Sequence, residues 1–151
     1  MPKVRDLKNI AFGLMGWFEG RYNSIEGYWA LGVLSREALA ADGAIAFDLL
    51  ARRVQPVSAL NTSMLNTCVA RLDHMLARRG FTRADIAGAD ITIAFGTDDA
   101  LSTWAFGGMT DGDPYRCTVT ITDRRGHAHQ ARHVARCRPH DPTRESRSGY
   151  V

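Results

Sequence analysis

Cysteine is scarce and unpaired in this sequence. Cys68, Cys117 and Cys137 are odd in number, widely spaced and free of any CxxC pair, which argues against a disulfide framework and a thiolate zinc ribbon. Long hydrophobic runs are also missing: no stretch approaches the roughly 20 apolar residues that span a bilayer. The opening MPKVRDLKNI has no continuous apolar segment of the signal-peptide kind, so a cytoplasmic protein with reduced core thiols is expected. There is no GxSxG, and no Ser or Cys stands at a recognisable spacing from a His and an orienting carboxylate. Gly107-Gly108 leads into turn residues rather than a helix, so no phosphate-cradling helix N-terminus is expected there. No internal repeat is present.

What remains is the composition of an ordinary globular domain, with 151 residues, 45% of them apolar and 23% charged. A chain of this length buries roughly 70% of the surface its unfolded form exposes, enough for a core without staples. Residues 1–139 are expected to form one domain. Beyond Pro139 the run HDPTRESRSGYV has no periodicity and little to bury, so 140–151 reads as a mobile tail.

In DLKNIAFGLMGWF, Leu7, Ile10, Ala11, Leu14, Met15 and Phe18 recur at helical spacing, with Asp6 as the expected N-cap and Gly20 as the stop. A second helix is expected from Ser24 to about Ala41, ending at Asp42-Gly43. AIAFDLL (44–50) alternates Ile45, Phe47 and Leu49 and reads as a strand. After Pro56, a helix from Ser58 carries Leu60, Met64, Leu65, Cys68, Leu72, Met75 and Leu76 on one stripe and closes at Arg78, Arg79 and Gly80. From about residue 88 the period changes to two: ITIAF (91–95), LSTWAF (101–106), YRCTVTIT (115–122) and HAHQARHVARC (127–137), separated by GTDD, TDGDP and DRRG. Cys117, Val119 and Ile121 are expected to face a core and Thr118, Thr120 and Thr122 the opposite side. The expectation is an α+β fold, three helices on one face of a mainly antiparallel sheet of about five strands, ordered roughly ααβαββββ.

Three constellations were candidates for chemistry. His127, His129, Cys137 and His140 carry zinc-competent ligands, but Arg residues intervene and no Asp offers an obvious second shell, so neither metal nor another cofactor is expected. His74 follows Asp73, yet consecutive helical residues do not face each other, which makes it a surface residue. Asp98, Asp99, Asp111 and Asp113 fall in two connections that a simple meander places at opposite ends of the 101–106 strand, so they are not expected to share one ion. They suit acidic knuckles on the rim of an interface.

Charge is distributed unevenly. From Arg124 onward seven Arg face only Asp141 and Glu145, a net of +5, which leaves −2 in the first 123 residues within the overall +3. The Arg-rich end therefore admits a nucleic-acid-binding alternative, although it offers only Tyr150 for base stacking.

The stretch GWFEGRYNSIEGYWALG (16–32) concentrates aromatics and glycines. Gly16, Gly20, Gly27 and Gly32 permit close helix approach while Trp17, Tyr28 and Trp29 fill the space. Glu19, Arg21, Tyr22, Asn23 and Glu26 form a polar cluster at the turn, a suitable place for recognition. RYNSIEGYWALG resembles a segment of the form R-N-D-I-x-G-Y-W-x-x-G that follows a short N-terminal helix in small immunity proteins of bacterial contact-dependent growth inhibition systems. The matching positions are Arg21, Asn23, Ile25, Gly27, Tyr28, Trp29 and Gly32, with Ser24 where an acid is expected. The resemblance implies a cytoplasmic, non-enzymatic α+β protein that binds and blocks one toxin domain, frequently a nuclease. It supplies no contact residues. From the residues themselves, the expected partner-binding set is Trp104 with Asp98, Asp99, Asp111 and Asp113, joined by Glu19, Arg21 and Tyr22. The basic C-terminal end departs from the acidic surface expected of a nuclease inhibitor. A small zinc-dependent hydrolase using the His/Cys set ranks behind both binding readings.

Overall fold

The computed structural model describes residues 3–22, 44–95 and 114–136. Their elements run α1 (Asp6–Tyr22), β1 (Ala44–Asp48), β2 (Arg53–Gln55), α2 (Ala59–Arg78), a 3-10 turn at Arg83–Asp85, β3 (Ile86–Phe95), β4 (Pro114–Asp123) and β5 (Ala128–Arg136). The strands form one antiparallel sheet in the order β2-β1-β3-β4-β5. The α+β class and the five-stranded antiparallel sheet match the sequence reading. Two α-helices stand among the described residues instead of three, because the helix expected at 24–41 lies outside them.

The covered face of the sheet follows from period-two alternation. Cross-strand register aligns Phe47, Ile91, Val119 and Ala131 in one row and Ile45, Ile93, Cys117 and His133 in the next. Apart from His133 these side chains are buried, together with Leu7, Ile10, Ala11, Leu14, Met15 and Phe18 of α1 and Met64, Leu65, Cys68, Leu72 and Leu76 of α2. Each Leu or Ile removed from water in this way contributes about 1.5–3 kcal/mol. Both helical stripes and the inward Cys117, Val119 and Ile121 are those expected from the sequence.

Helix ends explain the boundaries. At the start of α2, Ser58 Oγ accepts from the Asn61 backbone N–H at 3.0 Å, satisfying a donor that has no intrahelical partner. Ser58→Ala should therefore lower stability by about 1 kcal/mol, readable as a lower urea midpoint at unchanged m-value. At the other end the Phe81 N–H donates to Leu76 O and the Gly80 N–H to Ala77 O, with Gly80 at φ +80°. This closing motif requires a left-handed residue and packs Phe81 back over the last turn. α1 continues through Gly20 to Tyr22, so that glycine is not the stop expected of it. One glycine in a helix costs about 1 kcal/mol, which burial of the α1 stripe outweighs.

Three further differences have physical causes. β2 has only three residues, Arg53, Val54 and Gln55, too few to register as alternation. β3 starts at Ile86 rather than 91 because the ladder continues through a bulge between Ile86 and Gly88, where Ala and Gly weaken the strand signal. β3 and β4 are direct partners, with Phe95 opposite Tyr115, so no strand is inserted between them. The 101–106 strand and the 140–151 tail fall outside the described residues.

Candidate functional site

The helices cover one face of the sheet, and the opposite face is polar and concave. Alternation that sends Phe47, Ile91 and Val119 inward sends their neighbours outward. One outward row reads Arg53, Asp48, Asp90, Thr120 and Gln130 across all five strands; the next reads Gln55, Ala46, Thr92, Thr118 and Arg132. With Arg116 these residues line a depression of about 630 Å³. Gln130 Nε2 donates to Thr120 Oγ1 at 2.9 Å, which fixes one wall.

In the row at one end of the depression Asp48 and Asp90 are directly opposed cross-strand neighbours, with Arg53 opposite Asp48 on its other side. Like charges so placed repel. Burial pushes the Asp90 carboxyl above the usual carboxylate range, and the neighbouring Asp48 charge pushes it further the same way. Asp48 Oδ1 accepts from the Ala51 N–H in the β1–β2 turn at 3.0 Å, yet among the described residues no Lys, Arg or His ion-pairs with either acid. Arg53, Arg116 and Arg132 stand on the surrounding positions of the same face. The arrangement sets a pair of acids beside basic and hydroxyl-bearing side chains on one sheet face, able to meet cationic and anionic groups at adjacent positions.

The sequence reading did not single out Asp48 or Asp90. One lies inside AIAFDLL and the other ends a run, IAGAD, that did not read as a strand; only the register brings them together.

Of the residues expected to bind a partner, Asp98, Asp99, Trp104, Asp111 and Asp113 lie outside the described residues, and Tyr22 is described only as the last residue of α1. Glu19 and Arg21 lie on the final turns of α1. Glu19 accepts from His133 Nδ1 at 2.7 Å through Oε2, tying α1 to β5. His133 shares its row with Ile93 and Cys117, two residues from the point where β3 ends. Glu19 therefore sits near the junctions of segment 96–113 but on the covered side of the sheet, away from the Asp48–Asp90 pair.

The histidines take a structural role. His129 Nε2 lies 2.9 Å and His127 Nδ1 3.7 Å from Asp123 Oδ2. Asp123, which the sequence presents as a turn residue, is thus the carboxylate that orients these histidines. Its Oδ1 also accepts from the backbone N–H groups of Arg125 at 2.8 Å and His127 at 3.0 Å. The His129 hydrogen bond is the largest influence holding the Asp123 carboxyl down to about 2; burial opposes it, and the two backbone donors and the His127 charge add to the lowering. Cys137 and His140 lie outside the described residues, among which no group of three or more His, Cys, Asp or Glu is placed to hold a metal.

The two described thiols, Cys68 and Cys117, are buried and free. Burial pushes Cys68 up to about 12 against a smaller opposing effect of Arg21, and burial, then Glu19 and Cys68, push Cys117 higher still, so neither supplies a thiolate at neutral pH. His74 is exposed on α2, as expected. No described helix is long and apolar enough to cross a membrane. The chain matches no protein-family profile, no curated protein and no solved structure.

Proposed function

We propose that this is a non-enzymatic, immunity-type protein that binds and neutralises a cognate bacterial toxin domain in the cytoplasm, and that the open sheet face is its principal contact surface. The observation that carries the reading is the Asp48–Asp90 pair, two adjacent carboxylates without an ion-pair partner among the described residues, lining a polar concavity. Such a pair costs the free protein stability, and a partner's Lys or Arg seated between the acids would relieve it. A carboxyl raised by burial and a neighbouring acid in a concave surface is the kind of group that functional sites use, which supports the reading.

The same pair weighs against the nucleic-acid alternative on this face. Arg53, Arg116 and Arg132 suit phosphates, but two carboxylates among them repel a phosphate backbone. A nuclease inhibitor needs acids where the enzyme is basic, and here the acids are local even though the whole chain is basic. Glu19, on the covered side of the sheet, lies apart from this surface.

The direct test is size-exclusion chromatography, at moderate salt, of this protein mixed with the polypeptide encoded immediately upstream of it. A one-to-one complex is expected, weakened by Arg53→Glu or Arg132→Glu on the open face. Failure to form a complex, with nucleic acid co-eluting instead, would sink the proposal. Within the complex, relief of the acid pair makes binding release a proton from Asp90. Affinity should consequently rise with pH through the raised titration range of that carboxyl and level off above it.

A further inference from the structure

We propose a second, separate site: the cleft between α1 and α2 binds a phosphate-bearing small molecule. The cleft has a volume of about 410 Å³ and is lined by Arg71, His74, Arg78 and Arg79 over a floor that includes Ile10 and Met75. Asn9 and Gly13 form the α1 side, one supplying an amide and the other no side chain to fill the space.

Helix periodicity gathers the cations. Arg71, His74 and Arg78 lie three and four residues apart on one face of α2, and Arg79 follows as the C-cap. Cations in the last turn of a helix are favoured by its carbonyls, which accounts for Arg78 and Arg79. That effect fades within one turn, so it does not account for Arg71 and His74 further up the same face.

Neutralisation within the protein is thin. The ion pair that reaches the cleft residues among the described chain is Arg79 with Asp6, at a long 3.9 Å. Asp73, on the neighbouring face of α2, is instead committed to Arg83 at 2.9 Å. The Arg71 guanidinium lies 5.8 Å from the centre of the Trp17 ring, and its Nε is buried with no hydrogen-bond acceptor among the described residues. Within the described residues the Arg71 charge is thus met by an aromatic ring and by no carboxylate, which leaves its capacity for an anion unused. Three Arg side chains lining one cleft suit the several oxygens of a phosphate or pyrophosphate, which Arg engages with paired N–H donors. The limited volume of this half-open cleft, with Ile10 and Met75 in its lining, fits a small phosphorylated molecule rather than a long polyanion tracking the surface.

The cleft is on the helical side of the molecule, opposite the acid pair, so its occupation and partner binding on the open face are independent. Isothermal titration of the whole protein with sodium pyrophosphate tests the site, with adenosine diphosphate as a second arm. Saturable one-to-one binding is expected, at least tenfold weaker in Arg71→Gln and in Arg78→Ala and unchanged in Arg132→Ala. Arg78 is exposed, so R78A keeps the test decisive even where R71Q fails to fold. Diphosphate nucleotide binding more tightly than pyrophosphate names a nucleotide as the source of the phosphate; equal affinity names the free polyphosphate. No saturable binding of either probe, or equal weakening by Arg132→Ala, overturns the proposal. So does a single-stranded oligonucleotide that binds where neither probe does.

Discussion

Phe47→Ala should cost about 3–5 kcal/mol of folding stability, a large share of the ~5–15 kcal/mol available to a domain. Phe47 is 1% exposed and occupies β1 between Val54 of β2 and Ile91 of β3. Its ring meets Phe18 of α1 edge-on, with centroids 6.1 Å apart at 62°, so it joins the first helix to the sheet. Truncation removes apolar burial, leaves a cavity that a three-stranded surround cannot close, and ends the aromatic contact. The Phe18–Phe47 coupling itself should amount to about 0.5–1.5 kcal/mol in a double-mutant cycle. Urea unfolding monitored by circular dichroism reads both. A loss below about 1 kcal/mol for Phe47→Ala contradicts the packing described.

The second large effect concerns acid stability. Asp123 is 4% exposed and holds the β4–β5 turn: besides its side-chain bonds, its N–H donates to His127 O, and Gly126 N–H donates to Asp123 O, with Gly126 at φ +88°. That is a three-residue hairpin loop with a left-handed glycine. The folded-state carboxyl sits at about 2, below the ordinary Asp value near ~3.9. The folded chain thus binds this proton more weakly than the unfolded chain. Its stabilisation is fully present above about pH 4 and is lost as pH falls through about 2. Asp123→Ala strands the donors of Arg125, His127 and His129. It should lower the melting temperature by several degrees at pH 7 and flatten the fall in stability between about pH 4 and pH 2. An unchanged acid limb would show that the carboxylate is not the anchor of the turn.

Periodicity made most of the core legible. The stripes of α1 and α2 and the inward Ile45, Phe47, Cys117, Val119 and Ile121 all follow from residue spacing, because burial on one side of a helix or strand leaves a direct imprint on sequence. Ser58 was readable as the beginning of α2 for the same local reason. Register was not. Asp48 and Asp90 are 42 positions apart in the chain, and nothing local says that β3 lies beside β1 rather than continuing a simple meander. The cationic cleft was equally hidden: Arg71, His74, Arg78 and Arg79 read as the ordinary polar side of a helix until α1 is packed against it. Asp123 looked like any turn former, since its histidine partner emerges only when β5 folds back. The aromatic stretch 23–32 and the acids of 96–113, which the sequence made conspicuous, lie outside the described residues and leave their expected interface role a proposal.

The central claim is that the Asp48–Asp90 pair is kept for a partner at the expense of stability. Its most direct measurement compares Asp90→Asn with the parent protein, by titration against the captured partner and by thermal unfolding. Removing the repelling charge should leave the melting temperature equal or higher, because a carboxyl with a raised folded-state value destabilises at pH 7 and ceases to do so only as pH falls through that value. Affinity should fall tenfold or more, as for loss of one member of a desolvated charge contact. Undiminished affinity in Asp90→Asn would contradict the account.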